Sequence, residues 1–235
     1  MRKRGMAKVL AAVLAASMML SACGGDSGSE TTAASAGGSA AEAADGGASS
    51  SEGSGNIGKT DIIFGIKSDV VSLDPAGQQD TTSSILLKHV YSTLLDIDDD
   101  GNIVGDLAES YELSGTQDYV FHLREDAVFA DGTPVTAQDV KFTFDRAKTM
   151  PKTLSNTSKV SEVVVDNDHQ VTIKLSEPYA SFPAIVCNSN LSIVSEAAVT
   201  AAGDAYGDVE NILGSGPVNF TEGVPNDHYT LVGNE

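Results

Sequence analysis

The stretch that decides the fold is Phe129-Ala-Asp-Gly-Thr-Pro-Val-Thr-Ala-Gln-Asp-Val140. Asp131-Gly132 is a turn signal, because glycine readily takes the left-handed backbone conformation that tight turns need. Thr136 and Asp139 have the spacing of a capping box, in which the two side chains satisfy free N–H groups at the start of a helix. The sequence therefore predicts a turn followed by a helix that runs to about Lys148.

Strands are predicted on both sides of this helix. Tyr119-Val-Phe-His-Leu-Arg124 alternates apolar and polar residues, as a strand of a half-buried sheet does. Residues 159–166 and 170–175 are separated by Asn167-Asp168-His169, which predicts a hairpin. Further elements are a buried strand at 61–67, strands at 218–221 and 228–232, and helices at 182–187 and 195–202. This mixture, without a strict βαβ period, favours an α/β or mixed α+β fold over an all-β sandwich.

Another helix is predicted between Asp80, its N-cap, and Leu95. Its apolar residues recur with the period of a helix and define one face. They are Leu87, Val90, Tyr91, Leu94 and Leu95. Such a face predicts that the helix packs on a core.

Six short elements occur in order along the chain. They are Ser72-Leu-Asp-Pro75, Leu107-Ala-Glu-Ser110, Tyr119 to Arg124, Phe129 to Val140 with Lys141-Phe-Thr-Phe144 directly after it, Glu177-Pro178-Tyr179 and Gly214-Ser-Gly-Pro217. The series resembles family 5 of the extracellular solute-binding proteins, the peptide- and nickel-binding receptors of ABC importers. The resemblance spans about residues 60–235, and the run from Asp131 to Ala137 is its most specific part.

The resemblance implies a periplasmic-binding-protein-like fold, in which two lobes close on a ligand. Residues 57–235 would form the first part of the N-terminal lobe with the small subdomain inserted in it. The second lobe would follow, so we expect this sequence to be the N-terminal part of a longer protein. The implied function is that of a substrate-binding lipoprotein, not an enzyme, that captures oligo- or dipeptides and delivers them to an ABC permease.

In peptide-binding members of this family, the loop after the first strand pairs its main chain with an extended ligand. The matching positions here are Asp69, Val70, Val71 and Ser72. Such pairing adds the peptide like a further strand, and because it uses backbone groups it accepts many side-chain sequences. The resemblance therefore implies a peptide site at this loop; a plain surface loop with a solvated Asp69 is the alternative.

Two other functions stay open as alternatives. Nickel-binding relatives, by the same resemblance, use an Arg in the stretch that corresponds to residues 186–193, and no Arg occurs there. A surface lipoprotein hydrolase would need a nucleophile beside a base, and the sequence shows neither a G-x-S-x-G motif nor His and Cys at zinc-binding spacing. Asp96-x-Asp98-x-Asp100-Gly101 opens like an EF-hand, but position 107 is Leu rather than the chelating Glu, so a turn over 98–102 is predicted.

The N-terminus has the pattern of an export signal. A basic start is followed by an uncharged run of 12 residues, from Val9 to Leu20, which is too short to span about 30 Å of hydrocarbon. Leu20-Ser-Ala-Cys-Gly24 resembles the bacterial lipobox, in which the Cys is acylated and the bond before it is cleaved. We predict a signal peptide at residues 1–22, and a lipidated Cys23 with a flexible Gly/Ala/Ser-rich tether over residues 23–56.

The predicted lipid and the net charge limit the partners that the chain can have. A diacylglycerol on Cys23 would hold it at the extracytoplasmic face of the cell membrane, on a Gram-positive surface or in a periplasm, and no cofactor or metal is expected. A formal charge of −19 argues against nucleic acid as a partner, because like charges repel. The second cysteine, Cys187, follows Ile185 and Val186, which predicts a buried apolar thiol.

Overall fold

The structure is a computed structural model and describes residues 62–234. Within these residues the helices are α1 (Thr81–Val90), α2 (Ala137–Ala147), α3 (Leu154–Thr157), α4 (Phe182–Ile185) and α5 (Glu196–Ala202). The strands are β1 (Leu95–Ile97), β2 (Ile103–Gly105), β3 (Ala108–Ser114), β4 (Asp118–Leu123), β5 (Val160–Asn167), β6 (Gln170–Leu175), β7 (Val218–Val224) and β8 (His228–Gly233). Single turns of 3₁₀ helix lie at Pro75–Gly77, Ser189–Leu191, Gly203–Ala205 and Val209–Asn211.

Strands β3 to β6 form a four-stranded antiparallel sheet in the order β3-β4-β6-β5. Phe121 of β4 lies opposite Val171 of β6, and Val163 of β5 lies opposite Ile173 of β6. These four side chains are at most 2% exposed, and α2 packs against β5 and β6 to complete one core with them. The predicted strand at 119–124 and the predicted hairpin at 159–175 are both confirmed.

Helix α2 begins at the predicted capping box. The Asp139 carboxylate accepts hydrogen bonds at Oδ2 from the N–H of Thr136 at 3.0 Å and from its hydroxyl at 2.8 Å. The other oxygen, Oδ1, accepts from the N–H of Glu196 at 3.0 Å, in the first turn of α5. One buried carboxylate therefore caps its own helix and ties the start of a second helix to it.

A second cluster of buried side chains lies between α1 and the β7–β8 hairpin. It contains Leu73, Leu87, Val90, Tyr91, Val194, Val199 and Tyr206. The Gly214-Ser-Gly216 motif permits this packing, because a Cβ at Gly214 would stand 1.9 Å from the carbonyl oxygen of Val90. Gly216 donates its N–H to the same oxygen at 2.8 Å.

The helix predicted over 80–95 is correct at its start and too long at its end. Asp80 is the N-cap and accepts from the N–H of Ser83 at 2.8 Å. The helix ends at Val90 because the carbonyl of that residue bonds to Gly216 instead of to a further helical turn, and Tyr91 is extended. The five residues of the predicted apolar face are nevertheless all buried, since the last two enter the sheet core.

The buried strand predicted at 61–67 is wrong for the residues that the structure describes. Ile62 and Ile63 are each 89% exposed, Phe64 is 71% exposed, and no strand is assigned there. A β-strand is stabilised by hydrogen bonds to a neighbouring strand, and within residues 62–234 none pairs with this segment. Its β-branched and aromatic composition is therefore not sufficient to form a strand.

The other local predictions are confirmed. The helices expected at 182–187 and 195–202 are α4 and α5, and the strands expected at 218–221 and 228–232 pair as the β7–β8 hairpin. Residues 98–102 form a turn, in which the Asp98 carboxylate accepts from the N–H groups of Asp100 and Asn102 at 3.0 and 2.7 Å. Cys187 is 4% exposed, and burial raises the pKa of its thiol to about 11.

Three predictions concern residues outside the described range: the signal peptide, the lipidated Cys23 and the tether over 24–56. In the part of the chain that the structure does describe, no helix combines the length and the apolar character that a membrane crossing requires. The same residues contain no group of three or more His, Cys, Asp or Glu side chains arranged to hold a metal ion.

The shared carboxylate of Asp139 makes a stability prediction. Asp139→Ala removes the capping bonds to Thr136 and the bond from Glu196, so the free energy of unfolding should fall by about 2–3 kcal/mol. Urea denaturation followed by circular dichroism measures this change. Asp145→Ala, on the same helix in an exposed pair with Lys141, is the control and should cost less than about 0.5 kcal/mol. Equal losses in the two variants would contradict the assignment.

Candidate functional site

The predicted ligand-binding loop, Asp69 to Ser72, lies between the exposed segment 62–68 and the 3₁₀ turn Pro75–Gly77. Val71 is 69% exposed, and the other three residues are half-buried. The four predicted positions are contiguous, so the structure necessarily keeps them together. What it adds is the set of contacts that hold the loop.

Three contacts attach the loop to separate elements. Asp69 accepts at Oδ2 from the N–H of Asn226, at 3.0 Å, in the turn of the β7–β8 hairpin. Val71 donates its N–H to the hydroxyl of Ser83 in the first turn of α1, at 2.9 Å. Ser72 accepts at its hydroxyl from the N–H of Asp74, at 3.1 Å. The loop is thus held from both sides and from its C-terminal end.

The main chain of the loop is less engaged than its side chains. Among residues 62–234, nothing donates a hydrogen bond to the carbonyl groups of residues 69 to 72. The N–H groups of Asp69, Val70 and Ser72 also have no partner within this range. Unpaired backbone N–H and C=O groups are available to hydrogen-bond to the main chain of an added peptide strand.

Directly after the loop, Asp74 forms a two-pronged ion pair with Arg146. The guanidinium donates from Nη1 to Oδ1 at 2.8 Å and from Nη2 to Oδ2 at 2.6 Å. The side chains are 8% and 19% exposed, and the hydrogen bonds to Asp74 raise the pKa of Arg146. Asp74 Oδ1 also accepts from the N–H of Ala76 at 3.1 Å, which caps the 3₁₀ turn.

Two tyrosines complete this polar cluster. The Arg146 guanidinium carbon lies 5.6 Å from the ring centre of Tyr206, within the range of a cation–π contact. The Tyr206 hydroxyl lies 3.0 Å from that of Tyr91, and burial raises the pKa of both phenols. Both rings therefore stay neutral and hydrogen-bonded at physiological pH.

Sequence reasoning missed this cluster. Asp74 stands in one quoted motif and Arg146 follows another, yet 72 positions separate them and nothing in either motif names the other. The small number of arginines could have indicated the pair, because residues 62–234 contain only two, Arg124 and Arg146. A half-buried position in α2 for one of them calls for a carboxylate partner.

A separate open cleft of about 540 Å³ is lined by residues that include Asp106, Arg124, 127–130 and 215–216. Arg124 donates from Nε to the carbonyl of Asp106 at 2.9 Å, and burial raises the pKa of the Asp106 carboxyl. None of the predicted loop residues lines this cleft. The loop and the cleft are therefore distinct features.

The fold and the order of these elements can be compared with known proteins. Residues 102–235 match the sequence model of the bacterial extracellular solute-binding proteins, family 5 Middle. The chain belongs to this family. Its family 5 membership agrees with the prediction that it is a binding protein and not an enzyme, and confirms the predicted binding-protein fold.

Individual relatives give the same result. The family 5 chain is 34% identical, over 193 residues, to the probable D,D-dipeptide-binding periplasmic protein DdpA of Escherichia coli K12, covering 72% of this chain and 36% of that protein. It is 29% identical to the periplasmic oligopeptide-binding protein OppA of the same organism, covering 70% and 34%.

Among solved structures, the Escherichia coli murein tripeptide binding protein MppA superposes with a TM-score of 0.66 and 27% identity, over 72% of this chain and 37% of that one. The family 5 chain thus spans just over a third of the length of the relatives that it matches.

The tyrosine pair of this family 5 protein yields a stability prediction. Tyr206→Phe should lower the free energy of unfolding by about 1–2 kcal/mol, because the buried hydroxyl of Tyr91 loses its partner. Removing both hydroxyls, in Tyr91→Phe/Tyr206→Phe, should cost less than the sum of the single changes. Urea unfolding of the four proteins gives the coupling energy, and Tyr111→Phe, which is 38% exposed, is the control. Strict additivity would show that the two hydroxyls do not interact.

Proposed function

We propose that this protein is the substrate-binding component of an ABC importer, and that it captures oligo- or dipeptides outside the membrane and passes them to the permease. The observation that carries the proposal is the loop from Asp69 to Ser72, whose carbonyl groups have no hydrogen-bond partner within residues 62–234. The names of its relatives supply the ligand class, since DdpA and OppA are a dipeptide-binding and an oligopeptide-binding protein.

The chemistry of the loop suits a peptide with varied side chains. Hydrogen bonds to the main chain of a ligand do not depend on its sequence, so the expected specificity is broad. Asp69 adds a charge preference at one end of the ligand. Its Oδ2 accepts from the N–H of Asn226, the phenol of Tyr229 lies close to it, and the half-buried carboxylate can attract the ammonium group of a peptide.

The proposal includes attachment to the membrane. A lipid on Cys23 would confine the protein to the same surface as its permease, and confinement raises the effective concentration of each partner for the other. A tether over residues 24–56, treated as a Gly/Ser-like coil, would reach roughly 30 Å from the surface. A diacylglycerol supplies two chains, which is the usual requirement for stable anchoring.

The peptide proposal predicts a charge-dependent difference between two ligands. The full-length wild-type protein, which includes the expected second lobe, should bind Ala-Ala-Ala more tightly than N-acetyl-Ala-Ala-Ala, by about fivefold, because the free ammonium group meets the carboxylate of Asp69. Asp69→Asn should abolish that difference. Isothermal titration calorimetry at low salt measures both affinities.

The control for this experiment is Asp99→Asn, which removes the same charge from the exposed turn after β1 and should leave the preference intact. Titration with Ni²⁺ completes the comparison. Heat with Ni²⁺ and none with either peptide would reject the peptide proposal, and release of cleaved peptide would reject a receptor in favour of a hydrolase.

The anchor predicts a change of location. Cys23→Ala should prevent acylation, so the protein should leave the membrane fraction or remain as the uncleaved precursor. Metabolic labelling with a fatty-acid analogue and fractionation of cells measure the two effects. A Cys187→Ala variant should be labelled and located as the wild type is. If Cys23→Ala stays membrane-bound with its signal removed, the anchor lies elsewhere.

A further inference from the structure

We propose that Arg146 is a positioning residue for ligand binding: through Asp74 it fixes the main chain of the loop from Asp69 to Ser72 in the conformation that pairs with a peptide. This inference rests on the proposed peptide function of that loop. Arg146 itself belongs to the last turn of α2 and is separated from the loop in sequence by more than 70 residues.

Hydrogen bonds connect the guanidinium of Arg146 to the loop through Asp74. Both oxygens of Asp74 are held by Arg146, at 2.8 and 2.6 Å, so the carboxylate cannot rotate without losing a charged hydrogen bond. The main-chain N–H of the same Asp74 donates to the hydroxyl of Ser72, at 3.1 Å. A shift of Asp74 therefore moves the last residue of the loop directly.

The surroundings of the ion pair restrict its movement. A Cβ at Gly77 would stand 2.8 Å from the Ser72 hydroxyl, so the backbone is packed tightly around this bond. On the other side, the ring of Tyr206 lies against the guanidinium. Since α2 is anchored in the sheet core and Tyr206 in the second cluster, Arg146 has little freedom of its own.

The chemistry of the arginine side chain explains why this residue type is needed at position 146. Only a planar guanidinium can donate two parallel hydrogen bonds to one carboxylate, whereas a lysine ammonium acts as a point charge. Arg146→Lys thus keeps the positive charge beside Asp74 but removes the pair of parallel hydrogen bonds that fixes the orientation of the Asp74 carboxylate. The charge requirement and the orientation requirement can be separated by this one substitution.

The experiment compares wild-type protein, Arg146→Lys and Arg124→Lys, each as the full-length protein with the expected second lobe. Arg124→Lys is the matched control, because Arg124 is exposed and its guanidinium bonds to the carbonyl of Asp106 rather than to the loop. Calorimetry with Ala-Ala-Ala should show an affinity about tenfold weaker for Arg146→Lys only.

A second readout separates positioning from a general loss of stability. The N–H of Val71 donates to Ser83, so its hydrogen exchange, measured by mass spectrometry without ligand, reports the loop conformation. It should be about tenfold faster in Arg146→Lys under conditions in which circular dichroism shows the protein fully folded. Exchange in the β4–β6 core should be unchanged.

Each result has one meaning. Normal affinity and normal exchange of Val71 in folded Arg146→Lys would overturn the positioning role and leave the peptide function standing. Absence of peptide binding by the wild-type protein would overturn both. If Arg146→Lys does not fold, Ser72→Ala replaces it, because it removes the hydroxyl that links Asp74 to the loop without leaving a buried charge unpaired; the same affinity loss is then expected, and unchanged affinity would again refute the role.

Discussion

The ion pair between Asp74 and Arg146 is the contact on which the arrangement of the described residues depends. It joins α2, which packs in the sheet core, to the segment before α1, which packs in the second cluster. Because both side chains are largely withdrawn from water, loss of one partner would leave an uncompensated charge, at a cost of about 3–5 kcal/mol. Together with the bonds from Glu196 to Asp139 and from Val194 to Thr143, this pair holds the two hydrophobic clusters in one relation to each other.

This constraint assigns different tasks to side chains and to main chain at the candidate site. Side chains of Asp69, Ser72 and Ser83 serve to tie the loop in place. The carbonyl groups of the same loop remain unpaired within residues 62–234. Main-chain acceptors of this kind make little demand on ligand side chains, which is what the proposed peptide function requires.

Local chemistry accounts for most of the elements that the sequence predicts. The capping box at Thr136 and Asp139, the turn at Asp131-Gly132 and the hairpin around Asn167 each depend on residues a few positions apart, so their outcome follows from the sequence in that window. The segment 61–67 shows the limit of such reasoning. Its composition favours a strand, but a strand exists only beside another, and within 62–234 none is there.

The sequence by itself determined the family, the helix starts, the hairpins and the place of the candidate loop, because each of these is recorded in short runs of residues. Tertiary structure alone decided that α1 ends at Val90, where Gly216 takes its last carbonyl, and that Arg146 meets Asp74. Both depend on groups distant in sequence that approach only when the two cores pack. A contact between residues so far apart in sequence produces no pattern in the residues around either partner, since each partner alone is compatible with many neighbours.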